Sequence, residues 1–169
     1  MALTRKEITQ FIASAFGGHQ RTSLSGALTR VATDAVNVTA ATYAVPSSTY
    51  GIDLLVTLNR GAGITGTLPP AVGTLRTLKF YVGTTFTSSG IIQVTTTDII
   101  QGALGVTTDA AGVVIPTGAT SDTITMNGST TGGIVGSYIE LQDVAAGVWS
   151  VRGNLVSTGA EATPFSAAV

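Results

Sequence analysis

SDTITMNGSTTGGIVGSYIELQDVAAGVWSVRG, residues 121–153, is the stretch that decides the fold class of this chain. Runs of β-branched residues alternate in it with glycine-rich turns, and it contains no His, Cys or Lys. The run 123–126 is followed by Asn127-Gly128, a pair that tolerates positive φ and is a strong hairpin signal. We therefore predict a strand, an Asn-Gly hairpin turn, a glycine-rich loop and two further strands.

The two later strands of this stretch, 138–142 and 149–152, alternate apolar and polar residues as half-buried strands do. Glu140 is predicted to point outward between two apolar neighbours. Four side chains are predicted to face the core: Ile139, Leu141, Trp149 and Val151. The whole stretch reads as sheet and turns without reactive groups, so we expect the function to lie in surfaces.

Outside this stretch, the same two-residue period begins at about Ala35. Further strands are predicted at 36–40, 52–58, 77–82, 91–94 and 113–115. Short strands separated by frequent turns indicate an all-β domain. We predict a single body at residues 35–169, either a β-sandwich of jelly-roll-like type or a small barrel, because the strand order is not visible in the sequence. No strict repeat of roughly 20–50 residues is present, which argues against a solenoid or propeller.

The composition indicates an unusual surface. Charged residues make up only 10% of the chain, against about 25% in ordinary globular proteins. The chain also has 29 threonines and 21 glycines, which suit pleated strands and turns. A surface with so few charges repels itself weakly and tends to associate. The exterior is either neutral but hydrated or, as we favour, largely interface in a homo-oligomer.

Residues 1–34 are predicted to form an N-terminal helix and an extended arm. Thr4 and Glu7 fit a helix capping box. An apolar stripe at helical spacing follows at Ile8, Phe11, Ile12, Ala15 and Phe16. Gly17-Gly18 is expected to end the helix, and residues 19–33 read as a connector. A helix this short is marginal alone in water, so its stripe is expected to dock on the body, a sister subunit or another partner.

Charge is divided unevenly between this leader and the body. Residues 1–33 carry four basic and one acidic residue, net +3, whereas residues 34–169 carry four basic and eight acidic residues, net −4. A basic leader on an acidic body is expected to contact something that the body does not. The candidate attachment or intersubunit residues are Arg5, Lys6, Ile8, Phe11, Ile12, Phe16, Arg21 and Arg30.

One segment, GAGITG at 61–66, matches the glycine pattern of dinucleotide-binding loops. Dinucleotide binding needs a helix to begin there, but Pro69-Pro70 follow closely and prolines are not tolerated inside a helix. We therefore predict a glycine-rich turn and no cofactor. His19 is the only histidine and the chain has no Cys, so neither a Ser-His-Asp triad nor a zinc site is predicted.

The candidates for a catalytic pair of carboxylates are Asp98, Asp109, Asp122, Glu140 and Asp143. Glycosidases use two such groups, but nothing in the sequence singles out a pair. No basic cluster with interleaved aromatic residues is present, so no nucleic-acid partner is expected. No run approaches the roughly 18 apolar residues of a membrane span. We expect a protein that is not an enzyme, has no small-molecule substrate and does not contact a membrane.

Four segments follow one another in a recognisable order: LPPAVGTLRTLKFYVGTTFTSSGIIQV (68–94), SDTITMNGSTTGG (121–133), SYIELQDVAAGVWSVRGNLVSTG (137–159) and ATPFS (162–166). They combine a Leu-Pro pair, a long β-run, an Asn-Gly turn, an Ile-Glu-Leu strand and a Trp-x-Val strand that ends at Gly. This order, across residues 40–169, resembles the head decoration (capsid cement) proteins of tailed bacteriophages. Similar patterns occur in phage head fibres, tail fibres and other trimeric virion β-proteins.

The resemblance implies a structural protein of the virion with no catalytic residues. It implies a homotrimer on the capsid exterior at local three-fold positions, with the major capsid protein as partner and synthesis in the cytoplasm of a bacterial host. The alternative is a fibre or spike module that binds a host glycan or receptor. The basic, amphipathic leader favours decoration, because a fibre module more often begins with a coiled coil or a shaft repeat.

Overall fold

The computed structural model describes residues 33–47, 53–95 and 97–169, and these form twelve β-strands and no helix. The first six strands are β1 (Thr33–Val38), β2 (Thr42–Ala44), β3 (Asp53–Leu58), β4 (Thr65–Thr67), β5 (Thr77–Val82) and β6 (Gly90–Gln93). The other six are β7 (Ile99–Thr107), β8 (Gly112–Pro116), β9 (Thr123–Met126), β10 (Tyr138–Ala145), β11 (Val148–Val156) and β12 (Phe165–Ser166). The all-β prediction is therefore confirmed for the described residues.

The strands form two open, mixed sheets. The seven-stranded sheet has the order β1-β3-β5-β10-β11-β7-β8, and the five-stranded sheet has the order β12-β9-β6-β4-β2. Neither sheet closes on itself, so the small-barrel alternative is wrong. Five ladders are parallel, namely β1/β3, β3/β5, β2/β4, β4/β6 and β7/β11. Jelly rolls are antiparallel, so the topology also departs from the jelly-roll expectation.

The first six strands alternate between the two sheets, so that the chain winds in three successive coils. Each coil adds one strand to the seven-stranded sheet and one to the five-stranded sheet, in parallel with the coil before. These coils repeat one arrangement, although the sequence shows no strict repeat. The register gives the reason: Thr33 aligns with Asp53, 20 residues on, whereas Leu54 aligns with Leu78, 24 residues on. Coils of unequal length leave no fixed period in the sequence.

The Asn-Gly hairpin prediction is wrong. β9 belongs to the five-stranded sheet and β10 to the seven-stranded sheet, so residues 127–137 cross between sheets. The Asn127 side-chain oxygen accepts hydrogen bonds from the amides of Ser129 (2.9 Å) and Thr131 (3.1 Å). Gly128 adopts φ 74°, and a Cβ there would overlap the Phe86 carbonyl oxygen. The pair therefore shapes a compact loop against Phe86 instead of closing a hairpin.

Apolar side chains from both sheets form one buried cluster. Alternation along the strands places them there: Leu54, Val56 and Leu58 on β3, Leu78, Phe80 and Val82 on β5, and Ile124 and Met126 on β9. The four side chains that were predicted to face the core from β10 and β11 are at most 3% exposed. That prediction is confirmed.

Residues 1–32 lie outside the described part of the chain. The predicted helix and arm, and with them the boundary between residues 34 and 35, stay predictions. β1 begins at Thr33, so the body starts within two residues of that boundary.

Candidate functional site

Two buried carboxylates hold a loop between β4 and β5. Asp143 lies on β10 and is fully buried. Its carboxylate accepts hydrogen bonds from the amides of Val72 (2.9 Å), Gly73 (2.6 Å) and Thr74 (3.1 Å), and from the Thr74 hydroxyl (2.7 Å). Three consecutive backbone donors converging on an anion form an anion-binding concavity. Here the anion is a residue of the same chain.

We call Asp143 and the donors that it holds at 72–74 the clamp. Asp98, just before β7, extends the clamp by one residue. Its carboxylate accepts the Ala71 amide at 2.7 Å. The Ala71 carbonyl in turn accepts the Gly147 amide at 3.0 Å, which ties the loop to the tight turn between β10 and β11. Two of the five candidate acids, Asp98 and Asp143, therefore accept hydrogen bonds from four backbone amides of one loop.

The pKa of Asp143 follows from this geometry. Burial alone would raise the pKa of its carboxyl, but the hydrogen bonds from the Thr74 hydroxyl and from the amides of Gly73, Thr74 and Val72 outweigh burial. The pKa of Asp143 therefore lies below its ordinary value. The carboxyl group stays ionised, and its charge stabilises the loop through these hydrogen bonds. This is the role of a structural anion and not that of a proton donor.

The loop presents apolar side chains to solvent. Val72 is 52% exposed and Leu75 is 63% exposed, and Val144 at the end of β10 follows the clamping residue Asp143. Leu75 has φ 61°, a left-handed conformation that is uncommon for a residue with a branched side chain. Its amide donates to the Asp143 carbonyl at 2.8 Å, and its carbonyl accepts from the Gln142 side chain at 3.2 Å. The clamp thus holds an exposed leucine in a strained conformation.

We name the three side chains Val72, Leu75 and Val144 the apolar loop patch. Strained backbone that its surroundings hold in place is concentrated at functional sites. The observation that points to function is that backbone strain at Leu75 and exposed apolar side chains occur in a loop that a buried carboxylate holds. Chemically, this surface can bury against an apolar partner, and it offers no nucleophile or proton-transfer group.

Asp122, another of the candidate acids, is also engaged by hydrogen bonds. Asp122 accepts the amides of Ala168 (2.8 Å) and Val169 (3.3 Å) and the Thr123 hydroxyl (2.7 Å), so it holds the C-terminal residues beside β9. Burial raises the pKa of Asp122, but these hydrogen bonds outweigh it and the net pKa is lowered. Asp122 therefore fixes residues 168 and 169 through these hydrogen bonds.

Glu140 lies on the outer face of the seven-stranded sheet, as predicted. It pairs with Lys79 on β5 (3.3 Å) and with Arg152 on β11, which are its cross-strand neighbours in the ladder register. Burial raises the pKa of Glu140, but the hydrogen bonds from Arg152 and Lys79 outweigh it, so the pKa is lowered. The three residues form a charged row across three strands.

Next to this charged row, two tyrosines form an exposed pair. Tyr81 on β5 and Tyr138 on β10 are directly opposite in the ladder and are 41% and 51% exposed. Thr57 and Asn154 continue the row on the adjacent strands β3 and β11. Adjacent aromatic rings flanked by polar groups form a flat surface that can bind a ligand with both an apolar and a hydroxyl-bearing face.

A third exposed surface is β8, an edge strand of the seven-stranded sheet. Val113 and Val114 are 44% and 71% exposed, and β8 contains no charged residue. Sequence analysis predicted a strand at 113–115 but not its exposure. Pro116 could have indicated that this strand lies at a sheet edge, because proline within sheets is confined largely to edges, strand starts and bulges.

All eight predicted attachment residues of the leader, and His19, fall in residues 1–32, outside the described part of the chain. The prediction of a turn at GAGITG is confirmed: Gly63 has φ 84°, and the segment continues into strand β4 instead of a helix. The described residues contain no group of three or more His, Cys, Asp or Glu side chains placed to hold a metal ion. Nor does any helix in that part of the chain have the length and apolar character of a membrane span.

Comparison of the chain with family models, with curated proteins and with solved structures finds no match.

Proposed function

We propose that this protein is a structural component of a tailed-phage virion that decorates and stabilises the capsid exterior, as a homotrimer at local three-fold positions. The partners are further copies of the chain and the major capsid protein, and the protein is made in the host cytoplasm. We also propose that the two sheets, which share one core, form a β-sandwich. The observation that carries the proposal is the apolar loop patch, because an exposed apolar surface on a loop that hydrogen bonds hold in place suits contact between proteins.

The engagement of the buried acids supports the non-enzymatic part of this proposal. Asp98, Asp122 and Asp143 each accept backbone amides at 2.6–3.3 Å, and the pKa of Asp122 and that of Asp143 are lowered. A general acid needs a raised pKa near the working pH, and these two groups are shifted in the opposite direction. Their ionised forms stabilise loops.

The location is tested by cryo-electron microscopy of the virion that carries this chain, with antibody labelling of the body. We expect label distributed over the shell. Label confined to the tail or to fibres would overturn decoration and would support the alternative of a fibre or spike module.

The attachment role of the leader is tested with a chain that lacks residues 1–32, which ends its deletion where β1 begins. We expect the shortened chain to keep its β-sheet circular dichroism and its oligomeric state but to lose binding to undecorated capsids. Phe11→Asp should weaken binding more than Arg5→Ala, because an exposed charge pair contributes only about 0–1 kcal/mol whereas a buried Phe contributes roughly 1.5–3 kcal/mol. Normal decoration by the shortened chain would contradict this role.

The alternative function, glycan binding by a fibre or spike module, is favoured by the Tyr81–Tyr138 pair beside the charged row of Lys79, Glu140 and Arg152. Sugar rings stack on aromatic faces while neighbouring polar groups accept and donate hydrogen bonds. A glycan array probed with the full-length protein and with Tyr81→Ala/Tyr138→Ala distinguishes the two functions. Binding that the double substitution abolishes would favour the fibre module, and its absence on the array would favour decoration.

A further inference from the structure

The backbone geometry of β8 leaves a defined set of hydrogen-bonding groups on the open edge of the seven-stranded sheet. β8 pairs with β7, so that Val113 aligns with Val106 and Ile115 aligns with Leu104. The bonds at the two ends of this ladder, from the Thr108 amide to the Ala111 carbonyl (2.8 Å) and from the Thr117 amide to the Gly102 carbonyl (3.0 Å), fix which pairs are hydrogen-bonded.

Hydrogen-bonded pairs alternate along an antiparallel ladder. Val113 and Ile115 therefore direct their N–H and C=O groups toward β7. Gly112 and Val114 direct both of their backbone groups toward the open edge, and Pro116 directs its carbonyl there. Among the described residues, no strand takes up these groups.

The side chains of β8 match this open edge. Val113 and Ile115 lie on the core side of the sheet, since their ladder partners Val106 and Leu104 are fully buried. Ile115 packs against the core, whereas Val113 is 44% exposed, so the core side of β8 is only partly covered. Natural edge strands are commonly protected by charged side chains or proline, and here Pro116 alone provides such protection.

We propose that β8 is a two-fold contact surface, at which it pairs antiparallel with β8 of a second copy of this chain about an axis at Val114. Val114 then exchanges both backbone hydrogen bonds with the partner's Val114. The Gly112 amide donates to the carbonyl of the partner's Pro116, and the reverse bond forms symmetrically. On the core side, Val113 packs against the partner's Ile115, which completes the cover of a side chain that the single chain leaves exposed.

The register is self-complementary because 113 and 115 lie symmetrically about 114, which an isologous contact requires. Pro116 has no N–H, so the ladder ends after four bonds and does not extend further along the strand. Such a contact joins copies in pairs and cannot by itself make a trimer. It does not rest on decoration of a capsid, and in a trimeric assembly it would link two trimers.

The absence of cysteine from the whole chain allows a clean crosslinking test on the full-length protein. Opposed residues of a hydrogen-bonded pair have Cα atoms about 5.5 Å apart, a distance that a disulfide spans. Val114→Cys should therefore form a covalent dimer under mild oxidation. Asp109→Cys, in the exposed turn of the same hairpin, is the control and should crosslink at least tenfold less.

The geometry fails if Val114→Cys crosslinks no more than Asp109→Cys. It also fails if crosslinking at position 114 requires a second cysteine at Ala35 of β1, because that result would show head-to-tail pairing between the two edges of the sheet. Light scattering provides a second measurement: Val114→Lys should halve the mass of the assembly, whereas Val135→Lys, at an exposed turn valine, should leave it unchanged. Equal masses for the two variants, or a monomeric parent protein, would overturn the proposal.

Discussion

Asp143 illustrates at the scale of one residue how a charge in an apolar chain is used. Asp143 lies near the end of a strand and is followed by Val144 and two alanines. This local sequence gives no indication that Asp143 binds a loop about 70 positions earlier. The clamp could not be predicted, because the contact depends on the register between β5 and β10 and not on any spacing along the chain. The sequence singled out no pair among the acids, and the structure places Asp98 and Asp143 against backbone amides of one loop.

Asp143→Asn should destabilise the protein by about 3 kcal/mol, because an amide nitrogen cannot accept the two hydrogen bonds from Thr74 and a buried charge-assisted network is lost. Urea unfolding measures the change. Asp109→Asn, at an exposed turn, is the matched control and should lie within about 0.5 kcal/mol of the parent protein. An equally small effect at Asp143 would show that the clamp contributes nothing to stability.

The same residue predicts a pH dependence. Because the folded-state pKa of Asp143 is lowered, its contribution to stability is fully present above the unfolded-state value of about 3.9. That contribution is lost as the pH falls through the folded-state pKa. Between about pH 4 and pH 2, the parent protein should therefore lose more of its free energy of unfolding than Asp143→Asn. Parallel losses in both proteins would assign acid sensitivity to other carboxylates.

Trp149 is fully buried, and its indole N–H has no hydrogen-bond partner among the residues that the structure describes. Trp149→Ala should cost roughly 3–5 kcal/mol and give aggregated or unfolded protein. Trp149→Phe should cost clearly less, because it removes an unsatisfied donor together with part of the ring. Thermal unfolding of the two variants provides the comparison, and an equal loss in both would mean that the indole nitrogen is satisfied in solution.

At the scale of elements, alternation along the sequence identified the strands whose side chains divide cleanly between core and exterior. β3, β5 and β9 are of this kind, and their predicted bounds agree with the structure to within one residue. β7 was missed although it is nine residues long, because Gly102 and Gly105 interrupt its pattern. β2, β4 and β12 have two or three residues, too few to show any period.

Gly102 lies in the ladder between β7 and β11, at a position where only glycine fits. It has φ 141°, and a Cβ there would overlap the carbonyl oxygen of Val151 on β11. Gly102→Ala should therefore cost about 3 kcal/mol through strain and a forced separation of β7 from β11. Gly118→Ala is the control, since the nearest atom to its added Cβ, the Ser121 hydroxyl oxygen, is 3.6 Å away. Similar urea midpoints for the two variants would contradict the steric argument.

At the scale of the whole molecule, composition predicted surfaces as the functional part but not where they lie. The apolar loop patch depends on a clamp between distant residues, and the exposure of β8 depends on its place at the end of a strand order that no pattern in the chain encodes. The apolar leader residues Ile8, Phe11, Ile12 and Phe16 were proposed from helical spacing, which is local, and the four basic ones were proposed from charge. Their role stays a prediction that capsid-binding experiments decide.

The winding of the first strands has a mechanical consequence. Thr33 is both the first residue of β1 and the point at which residues 1–32 join the body. A pull on the leader along the axis of β1 loads the whole β1/β3 ladder in shear, so its bonds must break together, whereas a pull across the sheet peels them one at a time. A body tethered by its leader would thus hold against tension in one direction and yield in another. Single-molecule stretching between the N-terminus and a handle, placed at Val38 or at Asn59, tests this expectation. The Asn59 amide donates to the Val38 carbonyl at 2.8 Å. The rupture force should be higher with the handle at Asn59, because only that geometry carries tension through the β1/β3 ladder.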